Sequence, residues 1–578
     1  MPLERKNIQV VIIRGADYII KVLELLDAGC LFAYPGGAVL PIYDALAFSK
    51  LKSVLVRHEQ AASFGAQGYA RTFPNKPGFC LATSGPGATN LVTGLADAYG
   101  DNIPVIALTG QVPSHLIGSD AFQETDITGI CMPFTKKTFI LKDLENVQEI
   151  FTEAYEISIN GRPGPVLIDI PKNVQEAEIE LDDNWESQFK FPVYKRLVNP
   201  HQPSVDKAIN LISKAKKPLI ISGHGILQSD ACQELRDFID REQIPAVSTI
   251  LGMGAIESDN PLYFSWLGMH GMKYANLAVQ ESDCIIALGI RFDDRITGKL
   301  STFAPNADIV HVDIDEGEAS KNVPTRAFIH SDLKIFLQDF PCTLTNANKM
   351  RRSAWINELN ELKDQFPIKE PKHDKMTMIA AIDLLAQLES DDMIVATDVG
   401  QHQMWSGQYL QHLKPHSFLT SGGLGSMGFG LPAAMGAVAA QPQRPVWCIS
   451  GDGSFQMNLQ ELMTLVQEKW PVKILVLDNT YLGMVRQWQE QFYEKNYSGV
   501  DLVNPDYKLL AEAYGIKSVT VDNIEDYKKA IDEAKNHDGP FMLHARVLKE
   551  DNVFPMVPPQ QSLSDTMYYP KEKELITK

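Results

Sequence analysis

Cysteine is sparse in this chain: seven among 578 residues, with no C-x-x-C spacing. Cys30, Cys80, Cys131, Cys232, Cys284, Cys342 and Cys448 are an odd, scattered set in mostly apolar stretches. That excludes a disulfide framework and a zinc ribbon, and it reads as the reduced, buried thiols of a cytoplasmic protein. Long apolar runs are missing too; none that is uncharged approaches the roughly 20 residues that span a bilayer. Positive charge is in deficit, with 53 Lys and Arg against 72 Asp and Glu and a formal net charge of −19. Nucleic acid and anionic membrane both require a basic face, so neither is expected as a partner. The opening MPLERKN runs straight into fold-like sequence, with neither a signal peptide nor an Arg/Ser-rich transit segment in view. Short-period repeats and low-complexity tracts are absent.

What is present is a globular composition, 44% hydrophobic and 22% charged, on a chain too long for one core. Short apolar runs that end in Gly, Ser, Asp or Pro alternate with longer helical patterns. One set is LFAYPGG (31–37), FCLATSGPG (79–87), PVIALTG (104–110) and PVLIDIP (165–171). A second is KPLIISGHG (217–225), CIIALG (284–289) and IVHVDID (309–315). A third is MIVATDVG (393–400), VWCISGDG (446–453), VKILVLDN (472–479) and PFMLHARV (540–547). Runs apolar throughout and separated by helices mean buried parallel strands, so the expected fold is α/β with three doubly wound parallel-sheet domains. The expected boundaries are 1–185, 200–345 and 370–550. Linkers are expected near 182–203 and 342–375, and a proline-rich tail, 551–578, either drapes over another domain or stays mobile. Ligands in such sheets sit beyond the carboxyl ends of the strands, where the Gly-rich turns fall.

The most informative stretch is GDGSFQMNLQELMTLVQEKWPVKILVLDN (451–479). A strand delivers Asp452 into a glycine-flanked turn, a helix and a further strand follow, and that strand ends at Asn479. The two side chains then stand at adjacent strand ends. A carboxylate and an amide oxygen suit a hard cation such as Mg2+, with diphosphate oxygens and water completing the shell. The glycines admit phosphate to the backbone, and the helix start adds N–H groups. GDG alone reads as a tight turn; with Asn at this spacing it is the pattern of the thiamine-diphosphate fold. Upstream, RHEQAA (57–62) places Glu59 at a strand end and a helix start. Taken alone, Glu59 reads more readily as a helix-start acid or a partner of Arg57. Beside the metal motif it becomes the carboxyl group that drives the cofactor's aminopyrimidine into its basic tautomer.

Further segments carry a closer resemblance: YPGGAVLPIYDAL (34–46), TSGPGATNLVTGLADAY (83–99), GQVPSHLIGSDAFQETDI (110–127), GRPGPVLIDIPKNVQ (161–175), LGMHG (267–271), RFDDRITGKL (291–300), GGLGSMGFGLPAA (422–434) and GMVRQWQEQFY (483–493). Together they resemble the catalytic subunits of acetohydroxyacid (acetolactate) synthase over nearly the whole chain. That family joins two pyruvates into 2-acetolactate and CO2, or pyruvate with 2-ketobutyrate, at the committed step of branched-chain amino-acid synthesis. The resemblance implies thiamine diphosphate held by Gly37, Gln401, His402, Gly425, Ser426, Met427, Asp452, Gly453, Ser454, Asn479, Tyr481, Leu482, Gly483 and Met484. Met427 would be the apolar wedge that bends the cofactor. Asp452, Asn479 and the backbone carbonyl of Tyr481 would bind the metal; most relatives use this third position as well. Glu59, Gln123 and Lys172 would be the catalytic set. Phe122, Arg295, Met484, Val485 and Trp488 would face the substrates, with Trp488 favouring 2-ketobutyrate and Arg295 holding a carboxylate. On the residues alone, His402 reads equally as a structural hydrogen bonder, Trp488 as core, and Arg295 as a partner of Asp293 or Asp294.

The middle stretch has no G-x-G-x-x-G, and GHG (223–225) is too weak to predict a flavin. The resemblance nevertheless implies FAD lined by Arg162, Gly223, Gly225, Leu251, Leu267, Gly268, Met269, His270, Gly289, Arg291, Asp293, Asp313, Ile314 and Asp332. It also implies an obligate homodimer or a tetramer, since the two halves of the site would meet across a subunit interface, together with a separate small regulatory subunit. Pyruvate oxidases and 2-keto acid decarboxylases are the rival chemistries. A silent paralogue should have lost Glu59, Asp452 or Asn479, and all three are present.

Overall fold

The computed structural model of the chain describes residues 10–197, 200–368, 373, 375–410 and 413–568. The start of the first expected domain (1–9), the expected start of the third at 370 and the tail beyond 568 lie outside the described residues. Three six-stranded sheets are present, each parallel throughout. The first runs in the order Lys52–Leu55, Cys30–Ala33, Gly78–Ala82, Val105–Gln111, Val166–Pro171, Lys137–Ile140. The second runs Tyr263–Trp266, Ala246–Ser248, Pro218–Ser222, Cys284–Leu288, Asp308–Asp313, Ala327–His330. The third runs Phe418–Leu419, Ile394–Thr397, Val446–Gly451, Lys473–Asp478, Phe541–Arg546, Lys517–Val521. The expected α/β class with three doubly wound sheets is therefore the observed one. A small antiparallel ribbon, Val10–Arg14 against Glu178–Asp182, was not foreseen.

Central strands such as Cys30–Ala33, Val105–Gln111 and Cys284–Leu288 are buried at every residue. Helices cover both faces, so no alternation of apolar and polar residues is required. Each sheet has a switch point near its middle, between Cys30–Ala33 and Gly78–Ala82, between Pro218–Ser222 and Cys284–Leu288, and between Ile394–Thr397 and Val446–Gly451. These switch points open crevices at the carboxyl ends.

The first and third units share one core through helix Glu59–Arg71 packed on helix Gly430–Ala440. A Cβ at Gly68 would stand 2.1 Å from the Ala433 carbonyl oxygen, and one at Gly436 would stand 2.1 Å from that of Gly65. Glycine is what lets the two backbones touch. The amphipathic helix expected at 351–365 spans Asn346–Gln365 and is docked on the middle unit. Trp355 is buried and donates to the Pro218 carbonyl at 3.0 Å, and Arg352 pairs with Glu242 at 3.2 Å. The described part of the tail drapes over the middle unit: Val557 N–H donates to Met269 O (2.7 Å), and Gln561 O accepts from Lys299 N–H (2.9 Å). Among the described residues no helix is long and apolar enough to cross a membrane.

Gly436→Ala should lower stability by roughly 1–3 kcal/mol through overpacking, despite alanine's better helix propensity. Urea unfolding checks this; an unchanged midpoint would mean that the two helices separate to admit a methyl.

Candidate active site

The third sheet assembles one cluster. Gly451 lies opposite Leu477 in the strand register, so Asp452 and Asn479, just beyond, come together at neighbouring strand ends. Asn504 donates from one Nδ2 to Asp452 Oδ2 (2.6 Å) and Asp478 Oδ1 (2.9 Å), while His544 Nε2 meets Asp478 Oδ2 at 2.9 Å. Burial pushes the Asp452 carboxyl up to about 7, with Asp478 alongside adding to the effect. A desolvated carboxyl beside a second acid is a place that gains from a cation. Asn479 Oδ1 accepts the Tyr481 N–H at 3.1 Å, and the Tyr481 ring lies between the cations of Arg486 and Lys549.

Gln401 opens the helix after the switch-point glycine, Gly400. Its Nε2 donates to Gln487 Oε1 (3.1 Å) and Asp551 O (2.9 Å), and its Oε1 accepts from Asn479 Nδ2 at 3.5 Å. The His402 ring fills the space between Gly400 and Gly451, where an added Cβ would meet its atoms at 2.9 and 2.8 Å. Burial pushes this imidazole down to about 3, so it is neutral, and its Nε2 is buried without a protein partner. That orphaned nitrogen, the raised Asp452 and the turn at Gly451–Asp452 fit a metal diphosphate.

The first sheet assembles a second cluster. Glu59 is the first residue of its helix and is buried; His58 Nδ1 caps that helix by accepting the Gln60 N–H at 3.1 Å. Arg57 turns its guanidinium to Leu55 O and Gln467 Oε1, leaving Glu59 to Asn90, which donates to Oε2 at 2.9 Å. The Arg57 N–H is held by Glu461 Oε1 of the third unit at 2.8 Å. Oε1 of Glu59 faces the turn at Gly87, where a Cβ would stand 3.2 Å away. At the same turn Gly85 abuts Gln123, which adopts a left-handed φ of 61°. A Cβ placed on Gly37 would meet no atom within 4 Å, so the backbone there is open to a ligand. Phe122 beside Gln123 is 88% exposed, and Lys172 lies 3.9 Å from Glu176.

A third feature is a cavity of about 720 Å³ between the middle and third units, edged by Asn102 and Arg162 of the first. Sites for small molecules and cofactors span about 300–1,000 Å³. Its lining includes Gly425, Met427, Met484, Val485, Trp488 and Arg295 at one end. Arg162, Gly225, Leu251, Leu267, Met269, His270, Gly289, Arg291, Asp293, Asp313, Ile314 and Asp332 continue it. Burial drives His270 down to about 4 and leaves its Nδ1 without a partner.

Three family models match the chain. They are the N-terminal thiamine pyrophosphate binding domain over residues 13–130, the central domain of thiamine pyrophosphate enzymes over 205–340, and their C-terminal binding domain over 398–545. The chain is 44% identical over 558 residues to the acetolactate synthase isozyme 2 large subunit of Escherichia coli, covering 96% of this chain and 99% of that protein. It is 44% identical over 566 residues to the acetolactate synthase large subunit of Corynebacterium glutamicum, covering 96% and 90%. It is 43% identical over 569 residues to the chloroplastic acetolactate synthase of Arabidopsis thaliana, covering 96% and 84%.

The chain belongs to the acetolactate synthase large-subunit family.

Its first and third units are thereby the thiamine-diphosphate-binding domains of this family of enzymes. Within one acetolactate-synthase chain, Glu59 and Gln123 form one group, and Asp452, Asn479, Gln401 and His402 another. Neither Glu59, Gln123, Phe122 nor Lys172 lines the cavity that Trp488 faces. Gly223 and Gly268 do not line it either: Gly223 packs its Cα against Gly289 O, and Gly268 holds a φ of 119° over Arg295 O. Two expected cofactor contacts have their hydroxyls committed to protein. Ser454 Oγ donates to Gly451 O (3.2 Å), and Ser426 Oγ donates to Asp97 Oδ1 (2.8 Å). Gly453 and Gly483 are packed against Leu482 and Gln401 respectively. Trp488 is half-buried, edge-on to Phe492 at 5.4 Å, whereas Arg486 and Gln487 are the residues that its helix buries. The Arg295 guanidinium is exposed, 3.7 Å from Asp294 and against Met269 Sδ. Arg162 is engaged by Asp315 and Glu318, and Asp332 caps helix Leu333–Asp339 while pairing with Arg196. Asn90, Asn504 and Gln487 escaped notice in the sequence; Asn90 alone had a signal there, as the amide that closes the Gly-rich turn TSGPGATN.

Proposed function

We propose that this chain is an acetolactate synthase. It condenses two pyruvates to 2-acetolactate and CO2, or pyruvate with 2-ketobutyrate to 2-aceto-2-hydroxybutyrate, in valine, leucine and isoleucine synthesis. The observation that carries this reading is 44% identity over nearly the entire length to large subunits of that name. Thiamine diphosphate, when bound, supplies an acidic thiazolium C–H and an electron sink for decarboxylation of a 2-keto acid. Glu59 would offer Oε1 to the cofactor's pyrimidine ring nitrogen, since Asn90 occupies Oε2. Gln123, on the same glycine turn, faces the reacting carbon, and Lys172 and Phe122 border its approach. Asp452, Asn479 and the Tyr481 carbonyl hold Mg2+. Gln401 and the buried His402 Nε2 orient the diphosphate, with Gly37, Gly425, Ser426, Gly453, Ser454, Leu482, Gly483 and Met484 shaping its bed. Met427 is the wedge that holds the cofactor bent.

Trp488, Val485, Met484 and Arg295 bind the second keto acid. The guanidinium takes its carboxylate, and the indole favours an ethyl over a methyl group. FAD would be held in the interdomain cavity. Asp313 and Asp332 are suited to accept ribose hydroxyls, His270 Nδ1 offers an unpaired polar atom, and the two glycines of the middle switch point, Gly225 and Gly289, keep the backbone accessible. The condensation has no net redox change, so the flavin is structural. The separation of Glu59 from the Trp488 cavity within one chain, and the exposed Phe122 beside Gln123, support a homodimer in which two chains complete each site. The large-subunit relatives support a separate regulatory subunit, and seven unpaired cysteines support the cytoplasm.

The deciding assay gives purified protein pyruvate, thiamine diphosphate, Mg2+ and FAD, with and without 2-ketobutyrate. Acetolactate, joined by acetohydroxybutyrate on adding 2-ketobutyrate, is expected, with visible flavin absorbance in the holoprotein. Acetate, acetyl phosphate or acetaldehyde would move the chain to the oxidase or decarboxylase branch. Glu59→Gln should keep cofactor affinity while lowering kcat by about 100-fold or more; near-normal turnover would remove Glu59 from proton transfer. Trp488→Leu should lower the acetohydroxybutyrate to acetolactate ratio by about ten-fold, and an unchanged product ratio would make Trp488 a packing residue.

A further inference from the structure

Helix Val92–Asp101 carries two acids toward its carboxyl end, Asp97 and Asp101, where the macrodipole disfavours negative charge. Both are fully buried. Arg71, the last residue of the helix that Glu59 begins, supplies their cation. Its Nη2 lies 2.7 Å from Asp101 Oδ2 and 3.8 Å from Asp97 Oδ2. Two buried carboxyl groups on one guanidinium are a poor device for stability alone. Burial, with Asp101 alongside, raises Asp97 to about 6.

The other hydrogen bonds of these two carboxylates all reach one segment of a different unit. Asp97 Oδ1 accepts from both Ser421 Oγ and Ser426 Oγ, the latter at 2.8 Å. Asp101 Oδ1 accepts the Gly423 N–H (2.6 Å), and Oδ2 accepts that of Gly422 (3.0 Å). Ser421 Oγ in turn accepts the Ser426 N–H at 2.8 Å, closing the segment on itself. The approach is tight: a Cβ at Gly423 would stand 2.8 Å from both Asp101 Oδ1 and Gly100 O. Met427 is the next residue and faces the cavity.

We propose that Asp97 and Asp101 are positioning residues for the condensation: anchored by Arg71, they fix segment 421–426 so that Met427 stands where it holds the cofactor bent. This rests on the reading of Met427 as the wedge. The two acids touch neither cofactor nor substrate, so removing them should affect the cofactor's reactivity more than its affinity.

The test uses the full-length holoenzyme with Mg2+. It measures the hydrogen–deuterium exchange rate at the thiazolium carbon of bound thiamine diphosphate by quench and proton NMR, alongside Kd from fluorescence quenching. Met427→Ala is the reference. Asp97→Asn removes the charge at near-constant shape. The variant Ser421→Ala, outside the residues assigned to the cofactor bed, keeps the Arg71 cluster intact should Asp97→Asn fail to fold. Each is expected to slow exchange by about ten-fold or more with Kd within about two-fold, the mark of a misplaced but bound group. Wild-type exchange in the clamp variants, with Met427→Ala slowed, would overturn the clamp and leave the wedge standing. Wild-type exchange in Met427→Ala would overturn the wedge reading, and the clamp with it. A large rise in Kd at unchanged exchange would make the acids binding determinants and also overturn the proposal.

Discussion

The contact on which everything else depends is the close crossing of helices Glu59–Arg71 and Gly430–Ala440. Small residues let the backbones meet, and a single interface thereby orders three functional points. One helix begins with the candidate activator and ends with Arg71. The other is entered directly from the segment that carries Gly425 and Met427. A packed core resists small displacements, and the two binding units of a chain share one. Registry between them is set by backbone contact rather than by long side chains.

The same plan recurs in all three units. Each parallel sheet has a switch point, and at each one two facing chain ends pack closely: Gly36 on Thr83, Gly223 on Gly289, and Gly400 and Gly451 on the His402 ring. Glycine keeps the crevice shallow enough for a ligand to reach backbone N–H groups. In the first and third units those crevices carry the candidate cofactor residues. In the middle unit the crevice opens into the large cavity, so one architecture builds two different kinds of candidate site.

Much of this was legible from residues because it is written in contiguous stretches. The central strands announce themselves as unbroken apolar runs closed by glycine, serine or aspartate, and the Asp452 to Asn479 motif lies within one strand–helix–strand unit. Edge strands such as Lys137–Ile140, Ala327–His330 and Lys517–Val521 were not legible, because partial exposure admits polar residues that erase the pattern. The partners of the key groups were hidden for a different reason. Asn90 on Glu59, Asn504 between two aspartates and Gln487 on Gln401 are set by tertiary proximity, which no local spacing encodes. Ser426 and Ser454 show the converse. They sit in informative motifs, yet their hydroxyls serve the protein, Ser426 through a bond to an acid in another domain. The Tyr481 ring is taken up by Arg486 and Lys549, which leaves its backbone carbonyl as the group this position could offer a ligand.

The path of the chain after Asp551 is fixed through both its backbone and its buried side chains, Val553, Met556, Val557 and Leu563 among them. Gln401 holds the Asp551 carbonyl, Gln487 holds both the N–H and the carbonyl of Val553, and Met269 and Lys299 take up backbone groups of Val557 and Gln561. Contacts of this kind recognise a trace and are largely indifferent to side-chain identity. Sequence drift is therefore tolerated only at the exposed positions of this segment, because Val553, Val557 and Leu563 are core residues and the Thr566 hydroxyl accepts from Asn276 at 3.1 Å. A related chain could accordingly vary the exposed residues of this segment and keep its trace, provided the buried positions stay apolar.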